Sequence, residues 1–199
     1  MVIEESNLKF EFAEGVEVIK FDDTDFYRKE FNKLPEGKGV DIIACSSDCI
    51  QLIEIKNCLG HEAENMWRTS VDNSKISSAP RELNVDNRDS LDIEVVRKVA
   101  ATISCLYGAW TKSERTEKAS ELTAYWKYLN DIKLIKDRKQ LLVILFLEGN
   151  FNQRGSQSRS KKMIMQRIQT SINSKLTWLN CQVSVVDSNT YNKRCFQVS

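Results

Sequence analysis

Two prolines, seven glycines and one histidine in 199 residues leave several functions without their raw material. A single histidine, His61, makes a His-rich zinc site impossible and excludes triads that need a second one. No Gly-x-x-x-x-Gly-Lys loop and no Gly-x-Gly-x-x-Gly turn occurs, which disfavours the common nucleotide-binding enzymes. The longest unbroken apolar run, Leu141 to Leu147, is seven residues, whereas a bilayer span needs about 20. No membrane partner is expected. The six cysteines, at 45, 49, 58, 105, 181 and 195, include no Cys-x-x-Cys pair, so an iron–sulfur or zinc centre has little support. The start, Met1 to Glu5, is acidic and has no apolar signal region. The cytoplasm is the expected compartment, with reduced and partly buried thiols.

What is present is globular: 41% hydrophobic and 29% charged residues. The length suits one domain, 1–199, able to bury roughly 70% of its unfolded surface without a metal or disulfide staple. Charge is unevenly spread. Residues 1–100 carry 13 Lys and Arg against 21 Asp and Glu, and residues 101–199 carry 16 against 7. Phe151 to Asn180 holds Arg154, Arg159, Lys161, Lys162, Arg167 and Lys175 with no acidic residue. Such a stretch either attracts a polyanion such as nucleic acid or forms a solvated face balanced by the acidic half.

Alternation predicts two short strands, 8–12 and 16–21, joined through Glu14 and Gly15. A short helix follows over about 23–33, ended by Pro35. Val40 to Cys45 and Cys49 to Asn57 read as inner strands of a hairpin turning at 46–49. A short helix over 61–68 and a polar stretch from Thr69 to Ser90 come next. A helix capped by Ser90 then places Val96, Val99, Ile103, Leu106 and Trp110 on one stripe. Another, over about 114–129, turns Ala119, Leu122, Tyr125, Trp126 and Leu129 inward. A strand at 141–147, a helix over 161–176 with an Ile stripe, a strand at 181–186 and a last one at 194–198 complete the order. The fold class is α/β: a mixed central sheet with helices packed against it. The chain divides into N-terminal strands (1–21), a helix with the hairpin (22–57) and the remaining helices and strands (58–199).

The chemistry lies in the hairpin. Side chains alternate faces along a strand, so Glu54 and Lys56 share one. With Cys45 opposite Ile50, Asp41 falls opposite Glu54. Two carboxylates and an ammonium then meet on an otherwise apolar surface, where charges are costly unless paired or given a metal. That set suits metal-assisted hydrolysis. Mg²⁺ takes oxygen ligands, often only one or two carboxylates with water and substrate phosphate, and a neighbouring lysine orients water or stabilises developing charge.

Asp41 followed by Glu54-Ile55-Lys56 on adjacent hydrophobic strands, with Gly39-Val40-Asp41-Ile42-Ile43-Ala44, resembles the PD-(D/E)XK nuclease superfamily of restriction-endonuclease-like fold, and particularly archaeal Holliday-junction resolvases. The motif covers roughly residues 22–57. The resemblance implies that Asp41 and Glu54 bind Mg²⁺ or Mn²⁺ with the Ile55 carbonyl, that Lys56 serves the attacking water, and that the substrate is DNA. It also implies an acidic residue on the first helix, for which Glu30 is the candidate; a solvated helix glutamate is the other reading. The sequence departs from the family in carrying Val40 where proline is usual. It also leaves room only for Leu34 to Gly39 where the family places a strand between its first helix and the Asp-bearing strand. Arg154, Arg159, Lys161, Lys162 and Arg167 are candidate backbone-phosphate contacts. Asn57, Arg68, Arg81 and Arg88 are further candidate contacts that nothing singles out. His61, beside Glu62 and Glu64, either assists the site or lies on the surface. Cutting both strands of a duplex often uses two sites, which makes a homodimer an expected arrangement. The competing expectation is a non-catalytic nucleic-acid-binding or protein-interaction module on the same fold.

Overall fold

Short alternating segments and one long apolar run build two sheets in the computed structural model, which describes residues 1–35, 37–71, 89–131, 140–151 and 160–199. The strands are β1 (Val2–Glu5), β2 (Leu8–Glu11), β3 (Glu17–Lys20), β4 (Ile42–Cys45), β5 (Cys49–Asn57), β6 (Gln140–Glu148), β7 (Gln182–Val186) and β8 (Gln197–Val198). The helices are α1 (Asp25–Lys29), α2 (Glu62–Asn65), α3 (Leu91–Lys112), α4 (Glu117–Asp131) and α5 (Lys161–Lys175), with 3₁₀ turns at 21–23, 31–33 and 66–69. The polar stretch at 69–90 falls largely outside the described residues, as do Arg81, Arg88, Arg154 and Arg159.

The main sheet is mixed, in the order β3-β4-β5-β6-β7. β3, β4 and β5 form an antiparallel meander, and β5, β6 and β7 run parallel. The α/β class with a mixed sheet flanked by helices is therefore as expected. Parallel pairing forces crossovers: α3 and α4 lie between β5 and β6, and α5 between β6 and β7. The hairpin register is as read from its alternation, with Cys45 opposite Ile50 and Ile42 opposite Ile53. Its turn closes on the Ser46 hydroxyl, which accepts from the Asp48 and Cys49 amides.

Two cores lie on the two sheet faces. One gathers Ile43, Leu52, Val143, Leu145 and Val183 with the inward sides of α1, α3, α4 and α5. The other sets Ile42, Ile53, Ile55 and Phe146 against a second sheet, β1-β2-β8, through Ile3, Phe10, Phe12 and Phe196.

This second sheet corrects the expected pairing of 8–12 with 16–21. β2 pairs with β1 and β8, and β3 pairs with β4. Phe10 packs edge-on against Phe146 and Phe196, partners far away in sequence, and Gly15 (φ +83°) turns the chain from one sheet to the other. β3 also occupies the place beside the Asp-bearing strand where the sequence left room only for Leu34 to Gly39; here that strand precedes α1. The α3 stripe is wider than the expected one: Val99 and Leu106 are fully buried and Val96 and Ile103 pack against the core, as expected. Leu91, Val95, Lys98, Val99, Thr102, Leu106 and Ala109 are buried, whereas Trp110 is 45% exposed. Trp110 instead meets the exposed Tyr107 and the half-buried Trp126, which packs against the core from α4. The Ile164, Ile168, Ile172 and Leu176 stripe of α5 is buried as expected.

Candidate active site

The segment leading into β4 is fixed from three sides, and this sets Asp41. Gly39 lies so close to Phe21 that a Cβ there would stand 2.3 Å from a ring carbon, so only glycine fits. The Gly39 amide donates to the Tyr27 hydroxyl at 3.2 Å, and the Val40 amide to Thr102 Oγ1 of α3 at 2.9 Å. The Asp41 amide donates to the Ile53 carbonyl at 3.1 Å, and its carbonyl accepts from the Phe21 amide at 2.9 Å. Asp41 Oδ2 then accepts from the Ile55 amide at 2.6 Å. A side chain here satisfies a buried strand donor that β4 itself does not reach.

Alternation along β5 brings Glu54 and Lys56 to the same face, at the carboxyl edge of the parallel strands. Glu54 is fully buried. Lys56 Nζ donates to Glu54 Oε1 at 2.8 Å and to Glu94 Oε1 at 2.9 Å. Lys98 Nζ donates to Glu54 Oε1 at 2.6 Å and to Asp41 Oδ1 at 3.3 Å. Arg68 pairs with Glu94 from the other side. Three carboxylates thus meet three cations. Glu54 Oε2 is left buried with no hydrogen-bond partner.

Electrostatics separates these groups. Burial pushes the Glu54 carboxyl up to about 7, against the pull of Lys56 and Lys98. Burial opposes the Lys56 charge too, but Glu54 and Glu94 outweigh it and hold its proton above the ordinary lysine range. Lys98 is raised likewise: Glu54 and Asp41 outweigh its burial. Glu94 is half-buried, and although that partial burial opposes its charge, Lys56 and Arg68 keep it below the usual carboxylate range. Asp22, in the turn after β3, is raised by burial; it feels Lys20 and Asp41, and its Oδ1 is buried without a partner.

The expected residues are thus partly assembled. Asp41, Glu54, Ile55 and Lys56 come together. Glu30 does not join them: its nearest cation is Lys112, at 3.7 Å, at the far end of α3. His61 is exposed and stands 3.6 Å from Glu64. Lys161 Nζ is held by Asp187 at 2.6 Å, with Glu148 at 3.8 Å, whereas Lys162 and Arg167 are exposed on α5. All six cysteines are free thiols. Glu94, Lys98, Arg68 and Asp22 were missed. Lys98 carried a signal, a charge beside Val99 at the edge of the apolar stripe of α3, but the expected stripe stopped short of it.

Among the described residues no group of three or more His, Cys, Asp or Glu side chains gathers to hold a metal ion. Two carboxylates are still enough for Mg²⁺, which keeps several waters and leans on substrate phosphate. Asp41 and Glu54 supply hard oxygen donors, and the orphaned Glu54 Oε2 is an acceptor in want of a cation. The residues fit such an ion, with one qualification: the Lys98 ammonium already bridges the two carboxylates.

Among the described residues, no helix is long and apolar enough to cross a membrane. No curated protein and no solved structure matches the chain. Residues 24–199 match a family described as a family of unknown function (DUF6661), and the chain belongs to that family.

Proposed function

We propose that this DUF6661 protein is a magnesium-dependent nuclease that hydrolyses phosphodiester bonds in DNA at the cluster around Asp41 and Glu54. The observation that carries the reading is the meeting of Asp41, Glu54 and Lys56 on one buried sheet face, at the carboxyl edge of parallel strands where open α/β sheets bind ligands. The antiparallel meander, crossover and parallel strand around them follow the order of the resembling nuclease superfamily, with β3 arriving before the first helix.

A magnesium ion (or manganese) held by Asp41 and Glu54 would supply Lewis acidity toward a phosphate oxygen. Lys56 works as a cation and not as a base, because Glu54 and Glu94 keep it protonated. Its ammonium orients water and stabilises negative charge developing on the phosphate. Arg68 holds Glu94, and Glu94 in turn aims Lys56. α5 begins at the same edge of the sheet, where Lys161 reaches Glu148 at the end of β6. The exposed Lys162 and Arg167 on that helix are suited to phosphate contacts, which give affinity without sequence information. Free thiols suit a reducing compartment such as the cytoplasm. Two copies of the chain would serve the two strands of a duplex.

A second reading is a DNA-binding module that keeps this fold without the chemistry. The observation favouring it is the Lys98 ammonium, which pairs with one oxygen of each carboxylate without a metal.

The test is cleavage of supercoiled plasmid, single-stranded DNA and a branched junction with Mg²⁺, Mn²⁺ or EDTA. Cutting that needs the metal and falls by about a hundredfold in Lys56→Ala is the expected result. DNA binding with no cutting and no metal binding would establish the second reading instead.

A further inference from the structure

Lys98 is the one cation of the cluster that reaches both Asp41 and Glu54. It comes from α3, not from the hairpin, and is nine-tenths buried. Its ammonium lies 2.6 Å from Glu54 Oε1 and 3.3 Å from Asp41 Oδ1. Those are the two carboxylates that would hold a divalent cation. An ammonium and a divalent ion cannot both stand between one pair of carboxylates at these distances, and the repulsion between them there would be large.

The Lys98 stem can re-orient. Its side chain is a flexible four-carbon stem with a compact charge. Two other carboxylates lie within reach of its field: Glu94, one turn earlier on α3 and also paired with Lys56 and Arg68, and Glu5 at the end of β1, also paired with Lys20 at 2.8 Å. The helix need not move, because the Lys98 carbonyl stays bonded to the Thr102 hydroxyl, which also receives the Val40 amide.

We infer that Lys98 and a divalent cation compete for one place between Asp41 and Glu54, so that loading the metal turns Lys98 away toward Glu94 and Glu5. Without metal, Lys98 is the built-in counter-ion that keeps two neighbouring acids folded together. Lys98 is thus a positioning residue that sets the metal affinity of the site. This inference rests on the metal-binding reading above.

The experiment measures Mn²⁺ binding by electron paramagnetic resonance, without DNA, for wild type, Lys98→Met, Lys98→Gln and Asp41→Asn. Circular dichroism verifies that each variant is folded, and Lys98→Gln serves if Lys98→Met does not fold. Removing the competing charge is expected to tighten Mn²⁺ binding by about tenfold or more. Asp41→Asn is expected to abolish that binding. In wild type, saturating Mn²⁺ is expected to raise the reaction of Lys98 with an amine-acetylating reagent, read by mass spectrometry. Equal or weaker Mn²⁺ binding in both Lys98 variants, with wild-type binding still lost in Asp41→Asn, overturns the competition and leaves the metal site standing. Lys98 acetylation that saturating Mn²⁺ leaves unchanged also overturns it. No Mn²⁺ binding by wild type or by either Lys98 variant overturns both the competition and the metal-dependent nuclease.

Discussion

Two buried acids, Asp92 at the start of α3 and Glu54 on β5 beneath that helix, have opposite fates. Asp92 is satisfied: Ser90 donates to Oδ1 at 2.6 Å, and Ser171 and Lys175 of α5 donate to Oδ2 at 2.7 and 2.8 Å. Despite burial, these partners hold its carboxyl below the usual range. Glu54, on the sheet beneath the same helix, has two lysines on Oε1 and nothing on Oε2, and burial pushes it up to about 7. The first arrangement ties two helices together and lowers the energy of the fold. The second keeps a carboxylate where its charge is least welcome. A fold optimised for stability alone would not leave it so, which is why the function is sought at Glu54 and not at Asp92.

The largest effect that would sharpen this contrast is on activity. Glu54→Gln is expected to lower DNA cleavage by about a thousandfold or more while the protein stays folded; single-turnover cleavage with circular dichroism checks both halves. Asp92→Ala is expected to act on the other axis. It strands Lys175 and Ser171 and is expected to cost about 3 kcal/mol of stability in urea unfolding.

Acid–base linkage should separate the two acids by sign. The folded protein keeps the Glu54 proton up to about pH 7, and the unfolded chain releases it near the ordinary glutamate value of 4.5. Wild type therefore loses stability relative to Glu54→Gln as pH rises through that window, by about 3 kcal/mol. Asp92 runs the other way. Its stabilisation is fully present above its unfolded value of 3.8 and is lost as pH falls below it, so wild type gains on Asp92→Asn as pH rises from the acid side. Denaturant midpoints across pH read both slopes, and slopes of like sign would break the comparison. The smallest effect belongs to Glu30→Ala. It removes only a long ion pair to Lys112 at the surface and should change stability by less than about 0.5 kcal/mol.

Much of the hairpin was legible because a strand's period of two leaves no freedom: once Cys45 faces Ile50, the facing of Asp41, Glu54 and Lys56 follows. The α5 stripe was legible for the same reason, since its isoleucines leave one phase open. α3 was less so. Its apolar residues spread over more than half its circumference, and two neighbouring stripes compete; choosing the one ending at Trp110 hid Lys98. Glu30 is picked out by its position alone, and a five-residue α1 followed by a 3₁₀ turn carries it off toward Lys112.

By itself, then, the sequence determined the α/β class, the hairpin register, and the placing of two carboxylates and a lysine on one face, all of which follow from local periodicity. Only the tertiary structure decided that the chain ends form a second sheet over one face, and that Lys98 and Glu94 reach across from α3 to the hairpin. Both depend on contacts between segments far apart in the chain, where no local period constrains the partner and packing alone selects it.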